Sequence, residues 1–128
     1  MPLTRLDHVN IRTHRLDAMI RFYCDVVGLH NGDRPPFSFG GAWLYCGDQA
    51  AVHFVELTDK QPGNNEGAGR IDHFAFMASD LRGFIARLES GGIDHTIRSI
   101  PELGNTQVNV RDPDGNRVEI QFPAGESI

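Results

Sequence analysis

Leu6-Asp7-His8-Val9-Asn10-Ile11 and Ile71-Asp72-His73-Phe74-Ala75-Phe76 are one strand written twice, with the two histidines 65 residues apart. Each copy reads apolar-Asp-His-apolar-x-apolar, and the strand formers Val9, Ile11, Phe74 and Phe76 put both histidines within or at the start of a β-strand. Self-similarity at such a period means that one structural unit is used twice, and it governs the reading of everything else. A second anchor agrees. An offset of 66 lays Val52-His53-Phe54 on Val118-Glu119-Ile120, and the same offset lays Asp48 on Asp114, turn upon turn.

The segments between the anchors repeat as well. After the first strand, Leu16, Met19/Ile20, Tyr23 and Val26/Val27 form the i, i+3/i+4, i+7 stripe of an amphipathic helix over 17–27, with Gly28 as its stop. Asn31 to Gly41, with Pro35-Pro36 and Gly40-Gly41, reads as a loop containing one short strand at Phe37-Ser38-Phe39. Strands at 42–45 and 51–57 close the first module. In the second, Ser79-Asp80 caps a helix through Leu81, Phe84/Ile85 and Leu88, which ends at Gly91-Gly92. Strands follow at 93–97 and 106–110, and Asp112-Pro113-Asp114-Gly115 turns the chain into Arg117–Phe122. The expected fold is α+β: two tandem βαβββ modules, 5–58 and 71–123, in a single domain. A polar, glycine-rich linker over 59–70 joins them.

The chain has 128 residues, so each half of about 60 residues would be marginal alone and is expected to share a core with the other. A net charge of −5 with no basic run argues against nucleic acid or an anionic membrane as partner, and leaves small-molecule ligands open. Cys24 and Cys46 have neither metal-knuckle spacing nor disulfide-scaffold density, and read as reduced structural thiols. No apolar run could span a bilayer and Met1–Arg5 lacks the apolar centre of a signal peptide, so the expected location is cytoplasmic.

Under the repeat, His8 matches His73 and His53 matches Glu119, so two strand positions, each used twice, supply three imidazoles and a carboxylate. That donor set suits one divalent ion such as Zn, Ni, Co, Mn or Fe, with positions left over for substrate. At position 53 an alternative stays open, because Glu56 lies three residues on and could face the ion instead under another register. The period of two puts Asn10, Val55, Ala75 and Gln121 beside the ligands as expected pocket lining. His14, His30 and His95 fall near loops or helix edges and read as bystanders. Asp7 and Asp72 are expected to satisfy local backbone groups or accept from an adjacent loop, ahead of the alternative of supporting a metal-bound histidine, and Trp43 and Tyr45 to serve as core or pocket wall. There is no glycine-rich phosphate loop and no Gly-x-Ser-x-Gly elbow.

With Leu6-Asp7-His8-Val9 near the start, Phe22-Tyr23-x-Asp25-Val26-Val27-Gly28-Leu29 after the first helix, and Asp112-Pro113-Asp114-Gly115-Asn116-x-Val118-Glu119-Ile120 near the end, the chain resembles the vicinal oxygen chelate superfamily from about Leu6 to Phe122. That superfamily includes glyoxalases, extradiol dioxygenases, methylmalonyl-CoA epimerases and fosfomycin- and bleomycin-resistance proteins. The resemblance implies a curved, incompletely closed mixed sheet cupping one divalent metal, with helices outside. It also implies a homodimer, with modules paired within one chain or swapped between two. His8, His73 and Glu119 fall on the family's metal positions, whereas His53 stands where many glyoxalases have a glutamate. Only Glu119 is then left to move protons, which separates the chain from a straightforward glutathione-dependent glyoxalase. Bleomycin-binding members lack the ligand set, so its retention argues for a metalloenzyme over a protein that sequesters a small molecule.

Counting coordination positions orders the chemistries. Two histidines and one carboxylate on Fe(II) leave three positions, enough for a chelated catecholate and O₂, the extradiol dioxygenase arrangement. A fourth ligand from His53 leaves two on an octahedral ion. Two serve a substrate held through vicinal oxygens, or through one oxygen and a water, and the expected activity is therefore a glyoxalase-like lyase, isomerase or epimerase in which Glu119, a near neighbour or a water moves the proton.

Overall fold

The computed structural model describes residues 5–58, 73–101 and 104–126. The expected linker over 59–70, and Asp72, lie outside the described residues. The chain divides into two compact units between Ala68 and Gly69. Among the described residues no helix is long and apolar enough to cross a membrane.

The first unit runs β1 (Val9–Thr13), α1 (Leu16–Arg21), β2 (His30–Gly32), β3 (Gly41–Cys46) and β4 (Gln49–Glu56). The second runs β5 (His73–Met77), α2 (Leu81–Ser90), β6 (His95–Ile100), β7 (Asn105–Arg111) and β8 (Arg117–Phe122). The strand orders are β1-β4-β3-β2 and β5-β8-β7-β6, the same βαβββ path twice. In each unit the first and last strands pair in parallel and the remaining pairs are antiparallel. Neither sheet closes, as the α+β reading expects.

Alternation sets the two faces of each sheet. In β8, Val118, Ile120 and Phe122 are buried on one face, while Arg117, Glu119 and Gln121 occupy the other. Leu81, Phe84, Ile85 and Leu88 form the buried stripe of α2, and Phe84 meets Phe122 with ring centroids 5.7 Å apart. In the first unit Leu44, Val52 and Phe54 are buried with Met19 and Tyr23, and the Tyr23 and Phe54 rings meet at 5.4 Å. Each such side chain stabilises its unit by about 1.5–3 kcal/mol. The opposite faces carry Trp43, His53 and Val55 in the first unit and Arg117, Glu119 and Gln121 in the second, with His53 and Glu119 themselves buried.

The first helix differs from its expected form. Only Leu16–Arg21 is α-helical, and Phe22–Val27 widens by one residue per turn, so that both Gly28 and Leu29 donate their N–H to Tyr23 O. Gly28 ends it as expected, at φ +101° where a side chain would be strained. Asp80 caps α2 by accepting from Gly83 N at 3.2 Å. No strand forms at Phe37-Ser38-Phe39. Phe37 N–H instead closes a tight turn onto Pro35 O, and Arg34 lies over both phenyl rings at 5.0 and 5.2 Å. The missing strand is β2, whose His30-Asn31-Gly32 pairs with Tyr45, Leu44 and Trp43. Gly41 must be glycine, since a Cβ there would collide with the Phe54 carbonyl oxygen.

The turn before β8 is built around Asp112, buried to 4% exposure. Its Oδ1 accepts from the N–H groups of Asp114 and Asn116 at 3.0 and 2.8 Å, and its Oδ2 from Asn116 Nδ2 at 2.8 Å. Asp112→Ala leaves those donors to find water in a confined turn, and is expected to cost about 2–3 kcal/mol in urea-induced unfolding. Asp112→Asn, which keeps one oxygen acceptor, is expected to cost less.

Candidate functional site

Register places the paired residues at equivalent points of the two sheets. Across β1-β4-β3, His53 sits between Asn10 and Trp43; across β5-β8-β7, Glu119 sits between Ala75 and Asn109. His8 and His73 each lie two residues before the central partner, hence on the same face as His53 and Glu119 respectively. Glu56, three residues beyond His53, has the opposite parity and is exposed, so within the first unit it is His53 that shares the face of His8.

In the first unit the rings form a stack. His8 lies on His53 with centroids 3.9 Å apart and planes 12° apart, and Trp43 covers the other side at 4.0 Å and 7°. Gln49 Nε2 donates to the carbonyls of Leu6 and Asp7, which pins the segment carrying His8 to the start of β4. Asp7 is not spent on the backbone as expected: its carboxylate pairs with His8 Nδ1 at 2.8 Å, and that bond holds the Asp7 carboxyl below its ordinary range. An imidazole held at Nδ1 by a carboxylate keeps Nε2 as its lone-pair nitrogen, the arrangement that supports metal-ligating histidines. His53 Nε2 pairs with Ala50 O at 3.0 Å, which leaves Nδ1 as the lone-pair atom when Nε2 carries the proton. Burial first, and the neighbouring His8 second, push the His53 pKa down, so His53 is neutral and ligand-ready near pH 7.

The second unit holds Glu119 at 4% exposure. His73 Nε2 is 3.7 Å and Arg117 Nη2 3.9 Å from Glu119 Oε1, while Gln121 Nε2 donates to Oε2 at 2.9 Å. Gln121 is oriented in turn by Asn105 Nδ2, which donates to its Oε1 at 2.9 Å, and Arg117 Nε donates to Asn109 Oδ1 at 2.9 Å. Oε2 is therefore the anchored oxygen, and Oε1 is the one that faces two cationic or ionisable groups. Asn105 Oδ1 is buried without a hydrogen-bond partner.

Of the expected pocket residues, Gln121 touches Glu119 directly, and Val55 lines a cavity of about 810 Å³ together with Phe39 and Gly40. Asn10 and Ala75 are exposed on the ligand-bearing faces. His14 and His30 are exposed, and His95 Nδ1 is bonded to Ile93 O. Asn105, Asn109 and Arg117 were not foreseen. Their signal is present in Asn105-x-Gln107-x-Asn109-x-Arg111, a strand whose alternate positions are all polar.

The donors can be tested against a divalent ion. Three imidazoles and an ionised carboxylate, two of them backed by a carboxylate or an amide, match the chemistry such an ion requires. Among the described residues no three His, Cys, Asp or Glu side chains gather into one group, and neither unit supplies more than its pair. One adjustment is needed as well. A ligated ion lies in the plane of the imidazole about 2.0–2.1 Å from its nitrogen, so two parallel rings stacked face to face cannot both hold it. His8, exposed at the edge of the stack, has room to swing; His53, held between two rings, does not.

The sequence profile described as the Glyoxalase/Bleomycin resistance protein/Dioxygenase superfamily matches residues 5–120. The chain is 30% identical over 122 residues to the lactoylglutathione lyase GLX1 of Arabidopsis thaliana, covering 91% of this chain and 43% of that one, so it spans less than half of that relative. The lactoylglutathione lyase of Haemophilus influenzae is 29% identical over 122 residues, covering 88% of this chain and 87% of its own length. Among solved structures, a glyoxalase family protein from Bacillus anthracis superposes with a TM-score of 0.74 at 25% identity, covering 94% and 96% of the two chains. A lactoylglutathione lyase from Agrobacterium tumefaciens superposes at 0.69 and 26% identity, covering 95% and 96%.

Proposed function

Because the chain belongs to the Glyoxalase/Bleomycin resistance protein/Dioxygenase superfamily, we propose that it is a divalent-metal-dependent enzyme of the glyoxalase type. It acts as a lyase, isomerase or epimerase on a small molecule held through vicinal oxygens. His8 and His53 of the first unit, with His73 and Glu119 of the second, hold the ion. The observation that carries this reading is the repeated register, which gives both sheets a polar pair at the same two points of the same topology. The relatives named lactoylglutathione lyase support the lyase class.

The metal, when bound, supplies Lewis-acid polarisation of a substrate oxygen. The chain's own residues do the rest. Gln121 fixes Glu119 Oε2, so Oε1 is the atom that takes and returns a proton beside the substrate. Arg117 Nη2 and His73 Nε2 flank Oε1 at 3.9 and 3.7 Å. Asp7 holds His8 in one tautomer, and the Trp43 ring excludes water from one side of His53.

The test sets proton exchange on 2-hydroxy and 2-oxo substrates, with Zn-, Ni- or Co-loaded protein, beside aerobic catechol cleavage with Fe(II)-loaded protein. Proton exchange without ring cleavage is the expected outcome. Ring cleavage by the wild type would defeat the four-ligand reading, whereas ring cleavage gained only in His53→Ala would support the coordination argument.

A further inference from the structure

We propose that Asn105 is a positioning residue for Glu119: through Gln121 it selects which of the two carboxylate oxygens is left free to act. Among the described residues, Asn105 Oδ1 is the one buried side-chain polar atom with no hydrogen-bond partner. A bare acceptor loses its hydration with nothing in return, and native proteins keep few of them. Turning the amide over does not remove the cost, because its NH₂ group would then take the bare position. An apolar side chain would avoid it altogether. What asparagine adds at this point is one N–H, which Asn105 Nδ2 donates to Gln121 Oε1 at 2.9 Å.

The backbone puts that N–H within reach. Gly104, at φ +75°, donates its N–H to Ile100 O at 2.7 Å, and β7 begins at Asn105. In register Gln121 faces Gln107, yet its carboxamide reaches diagonally past that neighbour to Asn105. Diagonal neighbours on one face of an antiparallel pair lie close enough for a long side chain to bridge them.

A glutamine amide beside a carboxylate has one productive orientation. An ionised carboxylate only accepts, so Gln121 bonds to Glu119 Oε2 through its Nε2, at 2.9 Å, and would repel it through its own Oε1. The N–H of Asn105 is available only to that same orientation, in which Gln121 Oε1 is turned away from Glu119. The two bonds therefore reinforce each other, one at each end of a single amide. Glu119 Oε2 is held, and Oε1 stays toward His73 Nε2 and Arg117 Nη2. The consequence for turnover rests on the function proposed above; the coupling of Asn105 to Glu119 does not.

The test compares Asn105→Ala, Asn105→Asp and Gln121→Ala, with Gln107→Ala as a control on the same face. In chelator-treated protein, two-dimensional NMR follows the side-chain NH₂ groups. Exchange of the Gln121 Nε2 protons with solvent is expected to quicken about threefold or more in Asn105→Ala and to stay unchanged in Gln107→Ala. With metal in excess, Asn105→Ala is expected to lower kcat about three- to tenfold while KM holds. Asn105→Asp keeps the shape of asparagine but is expected to lower kcat further, because the added carboxylate draws Gln121 Nε2 away from Glu119. A space-filling role alone gives the opposite order, with Asn105→Asp close to wild type. The double variant Asn105→Ala/Gln121→Ala is expected to lose no more than Gln121→Ala alone. Additive losses, the space-filling order, or unchanged Gln121 exchange in folded Asn105→Ala overturn the proposal. Coupled exchange in a protein without metal-dependent turnover would leave the relay standing and remove the function. Turnover that falls in Glu119→Gln but is indifferent to Asn105→Ala and Asn105→Asp would do the reverse.

Discussion

Glu119→Gln is expected to lower metal-dependent kcat/KM by about 10² to 10⁴-fold, the range a positioned proton-transfer group supplies. The substitution keeps the shape of the side chain, so Gln121 and Asn105 can retain their places while the charge and the basic oxygen at Oε1 are lost. Glutamine cannot accept and return a proton near neutral pH, and it binds a divalent ion less well than a carboxylate. Gln121→Ala should act through Glu119 by releasing Oε2, with a smaller loss of kcat and a changed pH profile. Steady-state kinetics over pH with metal in excess separates the two. Wild-type turnover in Glu119→Gln would remove this residue from the chemistry.

Phe54→Ala is expected to destabilise the protein by about 3–5 kcal/mol. Phe54 is 1% exposed, and its ring meets Tyr23 edge-on beneath the strand that presents His53 on its other face. Deleting it removes the apolar transfer energy and leaves a cavity that a backbone pinned at Gly41 can close only in part. That loss is a large share of the 5–15 kcal/mol that stabilises an ordinary domain. Phe54→Leu, which refills most of the volume, should recover the greater part. Urea midpoints measured by far-ultraviolet circular dichroism test both, and a loss below about 1 kcal/mol for Phe54→Ala would contradict the packing described here.

Repetition carries most of what the sequence discloses. The offsets of 65 and 66 align His8 with His73 and His53 with Glu119, and the pairings of β1 with β4 and β5 with β8 place those residues equivalently. What stayed hidden has local physical causes. His30-Asn31-Gly32 has no strand propensity of its own and becomes β2 only through its pairing with β3. Phe37 and Phe39 alternate like a strand, but after Pro35-Pro36 the chain turns back on itself and the rings stack under Arg34. For Asp7 it is the less favoured alternative that forms: the residue precedes β1, where strand alternation does not send it to the face opposite its neighbour, and its carboxylate turns to His8. Side-chain relays such as Asn105 to Gln121 to Glu119 join residues 16 and 2 positions apart, which no single periodicity links.

Trp43 is the single tryptophan, and it stacks on His53 in the first unit, while His73 and Glu119 belong to the second. Its fluorescence therefore tests whether ligands from both units serve one ion. Chelator-treated wild type titrated with Co(II) is predicted to show quenching that breaks sharply at one ion per chain, as His8 leaves the stack and the ion binds beside His53. In Glu119→Gln, whose changed residue lies outside the unit that carries the reporter, the break should move to much higher metal concentration. An unchanged titration in Glu119→Gln would contradict a shared ion and confine any metal bound near Trp43 to the first unit alone.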